Sequence, residues 1–177
     1  MNSILERMLE RAVVRPMTIE PLRVRHIGQI MAIERDAYPH PWTAQVFHDE
    51  LREARAGRRH YLVARRGRGV VGYGGLMFVA DEAHISNIAV HPDERRSGVA
   101  TRLLLALAAA AIAKGSTAWT LEVRATSPGA QALYRHFGFV PAGVRKNYYE
   151  GSTDAIVMWC HDIQSEAYAR RLGVLAR

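Results

Sequence analysis

The stretch from Ile88 to Ala113 reads IAVHPDERRSGVATRLLLALAAAAIA and organises the rest of the chain. Its apolar start ends at a Pro-containing turn, and an arginine-rich segment with Gly98 then leads into a long Ala/Leu-rich helix. A strand, a basic glycine loop and a helix N-terminus in this order predict an anion site, because free amides and the helix dipole favour phosphate oxygens. Gly98 lets the backbone approach a ligand closely.

The composition is that of a soluble globular domain. The 177 residues are 49% hydrophobic and 23% charged, and the single cysteine, Cys160, excludes an intramolecular disulfide framework. The longest apolar run is about half of what a membrane helix needs, and we expect a cytoplasmic protein that does not enter the membrane. A net charge of +7 suits an anionic ligand or RNA, but it equally fits a generally arginine-rich composition.

Three segments follow from the patterning. Residues 1–16 repeat apolar side chains at helical spacing and are predicted to form a separate helical extension, either packed on the domain, frayed or bound to a partner. Residues 17–162 are predicted to form one domain. Residues 163–177 form a helical, basic tail to which the sequence assigns no role.

The central segment predicts a mixed α/β sheet of about seven mostly antiparallel strands with helices on both faces. A strand and two helices come first, and three strands joined by short turns follow between residues 61 and 90. After the central helix come a strand at Thr117–Val123, a helix at Gly129–Phe137 and two final strands.

Common phosphate and metal motifs are absent from the sequence. No Gly-x4-Gly-Lys-Ser/Thr loop occurs, and the glycines at 72, 74 and 75 lie inside a predicted strand rather than after one. The eight histidines have no metal-ligand spacing, so no metal is expected, and we interpret His84 and His136 as surface or satisfied residues.

Several blocks together carry a family resemblance. They are the glycine loop after IAVHP, then LEVR (121–124), ALY (132–134), FGF (137–139), RKNYY (145–149), DAIVM (154–158) and Pro41-Trp42. Over residues 17–162 the chain resembles the Gcn5-related N-acetyltransferases (GNAT), and within them the RimI branch, which acetylates an N-terminal alanine of a ribosomal protein.

The resemblance implies how acetyl-CoA binds. The fourth and fifth strands of this fold splay apart, and the pantetheine arm inserts between them while loop amides hold the pyrophosphate. The cofactor-binding residues it implies are Ile88, Ala89, Val90, Arg95, Arg96, Ser97, Gly98, Val99, Ala100, Thr101, Ser127 and Tyr134. One position departs from the pattern: Ser127, followed by Pro128, stands where RimI-like chains usually carry Asn.

Glu122 is the candidate general base. Alternation along the strand places it on the opposite face from Leu121 and Val123, where a charge is costly unless it faces a cleft. About a tenth of an α-amino group is neutral at pH 7, against about 0.04% of a lysine amine, so a single carboxylate could suffice for an N-terminus. The alternative is an ordinary solvent-facing glutamate; the resemblance favours the base.

Tyr134 is the candidate general acid, with a core tyrosine as the alternative. The residues predicted to line the acceptor site are Pro41, Trp42, Tyr148 and Tyr149, although packing roles explain Trp42 and the tyrosine pair as well. A basic peptide would need acids at the entrance, for which the candidates are Glu34, Asp36, Asp49 and Glu50.

The leading hypothesis is direct transfer of acetyl from acetyl-CoA to an N-terminal alanine of a small-subunit ribosomal protein. A lysine side chain or a small-molecule amine is the alternative acceptor, and a non-catalytic basic ribosome- or RNA-binding module is a more distant alternative. We expect a monomer whose partners are acetyl-CoA and the ribosomal peptide, without direct contact to nucleic acid.

Overall fold

A computed structural model describes residues 16–177, so most of the helix predicted for residues 1–16 lies outside the described part of the chain. Five helices are formed, α1 (Ile27–Ala37), α2 (Ala44–Arg55), α3 (Val99–Ala113), α4 (Pro128–His136) and α5 (Glu166–Leu175). Seven strands are formed, β1 (Met17–Pro21), β2 (Arg59–Arg66), β3 (Gly69–Val79), β4 (Glu82–Val90), β5 (Ala118–Arg124), β6 (Val140–Tyr149) and β7 (Thr153–Cys160).

Local chemistry explains the ends of the helices. The Thr43 hydroxyl accepts a hydrogen bond from the amide of Val46 at 3.4 Å and caps α2. Gly98 precedes α3 with φ at +81°, and Gly115 follows it with φ at +88°. Both angles are left-handed, a region in which glycine pays no steric cost, so these two glycines fix where the central helix begins and ends.

The sheet has the order β1-β2-β3-β4-β5-β7-β6, with helices on both faces, and the predicted mixed architecture is confirmed. Strands β4 and β5 are parallel, whereas the other neighbouring pairs are antiparallel. The β4–β5 pairing involves only residues 82–84 and 118–120. Beyond this point the two strands separate, which is the splay that the resemblance implied.

Two apolar cores flank the sheet. On one face α1 and α2 bury Ile30 and Phe47 against Tyr73 of β3. On the other face α3 buries Leu103, Leu104 and Leu107 completely, each contributing roughly 1.5–3 kcal/mol from removal of its side chain from water. The central helix is therefore anchored to the sheet directly behind the splay.

Helix α5, in the tail that the sequence predicts to be helical, packs on the second core. Its Tyr168 is 5% exposed and meets the Trp119 ring edge-on, with 6.5 Å between the ring centroids. The boundary at residue 162 stays a prediction. Within residues 16–177, no helix has the length and apolar character needed to cross a membrane.

Candidate active site

A cleft of about 770 Å³ opens where β4 and β5 diverge. Its walls come from β4, β5, the α1–α2 connection, α4 and the end of β6. Seven of the side chains and segments predicted for the site meet here: Trp42, Ile88–Val90, Arg95, Glu122, Ser127, Tyr134 and Tyr149. The splay thus brings together residues that are up to 107 positions apart in the chain, counting from Trp42 to Tyr149.

The β4 wall of the cleft is irregular. The register between β3 and β4 shifts between Gly75 and Leu76, where Ser86 is the extra residue of β4. Farther along the strand, the hydroxyl of Tyr38 donates to the carbonyl oxygen of Ile88 at 2.8 Å. Tyr38 therefore ties the end of α1 to the stretch of β4 that faces the cleft.

The glycine loop leads from this wall into α3. Arg95 lines the cleft, while residues 96–101 lie outside its lining. Arg96 and Gly98 both have left-handed backbone angles, with φ at +62° and +81°. Nothing lies within 4 Å of where a Cβ on Gly98 would stand. The first helical hydrogen bond runs from the amide of Arg102 to the carbonyl of Gly98 at 3.1 Å, which leaves the preceding amides of the helix for an anion.

Ser127 lies at the start of α4 and lines the cleft. Its amide donates to the carbonyl of Arg124 at 3.0 Å, and its side chain makes no capping hydrogen bond to the helix. The hydroxyl is thus not committed to capping the helix.

Glu122 is held by two partners. Arg145 of β6 donates from Nη1 to Oε1 at 2.8 Å, and His84 of β4 lies with Nε2 3.1 Å from Oε2. The Glu122 side chain is 15% exposed, so the carboxylate is largely removed from solvent yet remains part of the cleft wall. Burial lowers the pKa of His84, with Arg145 and Arg59 acting in the same direction and Glu122 opposing them.

Tyr134 enters the cleft from α4. It is 6% exposed and belongs to the same core as Leu121 and Val123, which are the neighbours of Glu122 on the opposite face of β5. Burial raises the pKa of its phenol, so the hydroxyl keeps its proton at neutral pH.

The other end of the cleft carries aromatic side chains. Tyr149 donates its hydroxyl to the carbonyl of Glu122 at 3.1 Å, and burial raises its pKa to about 12. Trp42 lines the same cleft. Pro41 and Tyr148 do not line it, and the Tyr148 ring lies 48% exposed beneath the guanidinium of Arg145.

The acids predicted at the entrance are placed differently from that expectation. Glu34 is fully buried and accepts hydrogen bonds from the amide of Trp42 at 2.7 Å and from the hydroxyl of Tyr73. Burial raises its pKa. Asp49 is bound by Arg52 and Glu50 by Arg59, and none of the four candidate acids lines the cleft. Glu34 therefore fixes the α1–α2 connection instead of attracting a peptide.

Sequence reasoning missed the two partners of Glu122. It interpreted His84 as a surface or satisfied residue, yet the structure brings its imidazole against the candidate base. The parallel register of β4 and β5 places His84 beside Thr120, which is two residues from Glu122 on the same face. The alternation of side chains along β4 and β5 predicts the contact between His84 and Glu122 only when the register between the two strands is known. Among residues 16–177, no group of three or more His, Cys, Asp or Glu could hold a metal ion.

The chain matches the family model described as the acetyltransferase (GNAT) family over residues 27–139. It belongs to the GNAT acetyltransferase family. Acetyl-CoA is accordingly its acetyl donor, and the open left-handed loop, the unpaired amides of α3 and the splayed strands fit such a ligand.

Two relatives share most of their length with this chain. A Bacillus subtilis protein, provisionally named a ribosomal protein bS18-alanine N-acetyltransferase, is 36% identical over 142 residues, which cover 80% of this chain and 93% of the relative. The Escherichia coli ribosomal protein bS18-alanine N-acetyltransferase is 34% identical over 146 residues, or 80% and 95% of the two chains.

The fold is also found among solved structures. The crystal structure of the ribosomal-protein-S18-alanine N-acetyltransferase from E. coli superimposes with a TM-score of 0.75 at 31% sequence identity, covering 83% of this chain and 94% of that chain. The branch of the family that the sequence resembles is thus the branch that these comparisons return.

Proposed function

We propose that this chain acetylates the α-amino group of an N-terminal alanine, on a small-subunit ribosomal protein of the bS18 type, by direct transfer from acetyl-CoA. The observation that carries the proposal is the Glu122 carboxylate, held by two partners at the point where β4 and β5 separate. The names of relatives 34–36% identical over most of their length support the choice of acceptor.

The donor site is proposed to use the β4 backbone and the glycine loop. Ile88–Val90 would pair with the pantetheine arm, and the amides from Arg96 to Thr101 would hold the pyrophosphate, with Arg95 at the cleft wall. Ser127, at the N-terminus of α4, offers a hydroxyl to the ligand where RimI-like chains usually offer the longer amide side chain of Asn. Acetyl-CoA supplies the acetyl group as an activated thioester.

Glu122 acts as the general base in this proposal. Its carboxylate accepts the proton that the acceptor amine loses, directly or through a water molecule. An α-amino group, with a pKa near 7.7–8.0, needs this help about two hundred times less than a lysine amine with a pKa near 10.4. A single carboxylate is therefore better matched to an N-terminus than to a lysine side chain.

Tyr134 acts as the general acid. A phenol with an ordinary pKa of about 10, raised further here by burial, is protonated at neutral pH, so the hydroxyl has a proton to deliver to the departing sulfur. A backbone amide of β4 would stabilise the oxyanion. Glu122 takes one proton from the amine, and Tyr134 gives one proton to the departing sulfur. The two proton transfers therefore balance.

Direct transfer is favoured over an acetyl-enzyme. The one cysteine of the chain, Cys160, is 4% exposed, donates its thiol to the carbonyl of Phe137, and has its pKa raised by burial. A buried, protonated thiol outside the cleft is a poor nucleophile for this reaction.

The acceptor peptide is proposed to lie between Trp42 and Tyr149. Arg124 and Glu150 lie at the entrance of the cleft, where Arg124 donates a hydrogen bond to the Glu150 carboxylate at 2.7 Å. The opposite charges of this pair cancel, so the pair adds no net charge to the entrance. We further propose that the protein works in the cytoplasm, where ribosomal proteins are made, and that it does so as a monomer.

Intact-mass analysis of an acceptor panel tests the proposal. The panel contains a peptide with a free N-terminal alanine and no lysine, an N-terminally blocked peptide with lysines, and a polyamine, each incubated with acetyl-CoA. Acetylation of the first peptide alone supports the proposal. A product only on the lysine peptide or the polyamine overturns it in favour of the alternative acceptor, and RNA binding without any product favours the non-catalytic module.

A further inference from the structure

His84 meets the candidate base across the last paired position of β4 and β5. It is in register with Thr120, and its Nε2 lies 3.1 Å from Oε2 of Glu122. The two side chains are 23% and 15% exposed, so most of their surface is removed from water. The distance between the two atoms is within the range of a hydrogen bond, and the contact is sheltered from water.

The second oxygen of the carboxylate has its own partner. Arg145 of β6 donates to Oε1 at 2.8 Å. Its guanidinium also lies 5.0 Å from the centroid of the Tyr148 ring. The Arg145 side chain is 54% exposed, whereas His84 is the more enclosed of the two donors. Each oxygen therefore has one nitrogen partner, and the more enclosed partner is the imidazole.

The groups around His84 keep it neutral at pH 7. Burial lowers its pKa most, and the charges of Arg145 on β6 and Arg59 on β2 lower it further, while Glu122 on β5 raises it. A neutral imidazole has one N–H, and a carboxylate can only accept, so a hydrogen bond between the two groups requires the hydrogen on Nε2. Were His84 charged, it would form an ion pair that competes with the amine for Glu122.

We propose that His84 is a positioning residue that orients Glu122 by donating its Nε2–H to Oε2, opposite Arg145 on Oε1. This inference rests on the proposed function, since it assumes that Glu122 is the base. In this proposal His84 sets the direction in which the Glu122 carboxylate points, and its protonation sets the pH below which the activity falls.

Two substitutions at His84 separate orientation from mere packing. His84→Ala removes the donor and is expected to lower kcat about tenfold, the effect of losing roughly one charge-assisted hydrogen bond, with KM for acetyl-CoA unchanged. His84→Gln keeps a neutral N–H donor and is expected to restore most of kcat. The matched control is His136→Ala, which removes an exposed histidine outside the cleft.

The pH profile supplies a readout that a structural role would not move. Below the pKa of His84, which lies beneath its ordinary value of about 6.5, the wild type is expected to lose activity more steeply than His84→Gln, because only the wild type gains the competing charge. Identical acid limbs in the two proteins would contradict the inference.

Nitrogen-15 NMR of the His84 ring tests the contact without any turnover. We expect the Nε2–H form at pH 7, and a further decrease of the His84 pKa in Glu122→Gln, because the carboxylate that raises this pKa is gone. An Nδ1–H form, or a titration unchanged by Glu122→Gln, would overturn the inference.

The two proposals fail in distinguishable ways. A wild-type protein that acetylates no member of the acceptor panel overturns the proposed function, and with it any role of His84 in that reaction. An active wild type whose kcat and acid limb are matched by His84→Ala overturns the role of His84 alone.

Discussion

Glu122 and Tyr134 reach the same cleft from opposite faces of the sheet. Tyr134 belongs to the core that contains Leu121 and Val123, whereas Glu122 alternates to the other face and is bound there by Arg145. This is possible only because β4 and β5 stop pairing after residue 84 of β4, which opens a passage through the sheet. A base on one side and an acid on the other can then act on a ligand held between the strands.

Replacement of Glu122 by Gln is expected to lower kcat by about 10²–10⁴ while leaving acetyl-CoA affinity nearly unchanged, because the amide keeps the shape and loses the proton acceptor. Initial rates and calorimetric titration with acetyl-CoA measure the two effects. Glu82→Gln, on β4 outside the cleft, is the control and should behave as wild type. An unaffected rate would remove Glu122 from the mechanism.

Between pH 8 and pH 10 we expect no loss of activity that is caused by ionisation of the general acid, Tyr134. Burial raises the pKa of Tyr134 above its ordinary value of about 10, so the phenol stays protonated throughout this range. Tyr134→Phe should lower kcat by about 10²-fold at every pH in that range. A tyrosine with little part in proton transfer would instead leave kcat in Tyr134→Phe close to that of the wild type.

Gly98→Trp is expected to abolish acetyl-CoA binding in a protein that still folds. The position has space around it but a φ of +81°, so the large ring both strains the turn and covers the free amides of α3. Gly115→Trp is the matched control, since Gly115 has φ at +88° and similar open space at the far end of the same helix.

Circular dichroism and calorimetric titration compare these two variants. Both should lose a similar amount of stability, and only Gly98→Trp should lose the titration signal. Normal acetyl-CoA affinity in Gly98→Trp would refute the placement of the pyrophosphate at this loop.

Glu34→Ala is expected to lower the free energy of unfolding by roughly 2–4 kcal/mol, because it leaves the amide of Trp42 and the hydroxyl of Tyr73 without their buried acceptor. Urea denaturation measures the loss. Asp36→Ala, on the exposed face of the same helix, should change stability by less than about 0.5 kcal/mol. Equal stabilities for the two variants would show that Glu34 does not hold the α1–α2 connection.

The sequence was sufficient to predict the order of the helices and strands. Helical and alternating periodicities are local signals, so α3, the β2–β4 meander and the alternation of Glu122 with Leu121 could be predicted from neighbouring residues. The glycine loop could also be predicted locally. Gly98 has a left-handed backbone angle, and the glycine in the sequence indicates such an angle at that position.

Contacts between distant strands could not be predicted in the same way. The insertion of β7 between β5 and β6, and the register that sets His84 against Glu122, depend on pairings that no local pattern encodes. Glu34 was a candidate acid at the entrance of the acceptor site, yet three groups around it, from Trp42, Tyr73 and Asn87, donate to it in the interior.

The most direct test is a competition within one peptide that begins with a free alanine and carries one internal lysine. Tandem mass spectrometry after incubation with acetyl-CoA at pH 7 locates the acetyl group. We predict that it is found on the α-amino group and not on the lysine, and that Glu122→Gln slows its appearance without changing its position. Acetylation of the lysine in preference to the N-terminus would contradict the account.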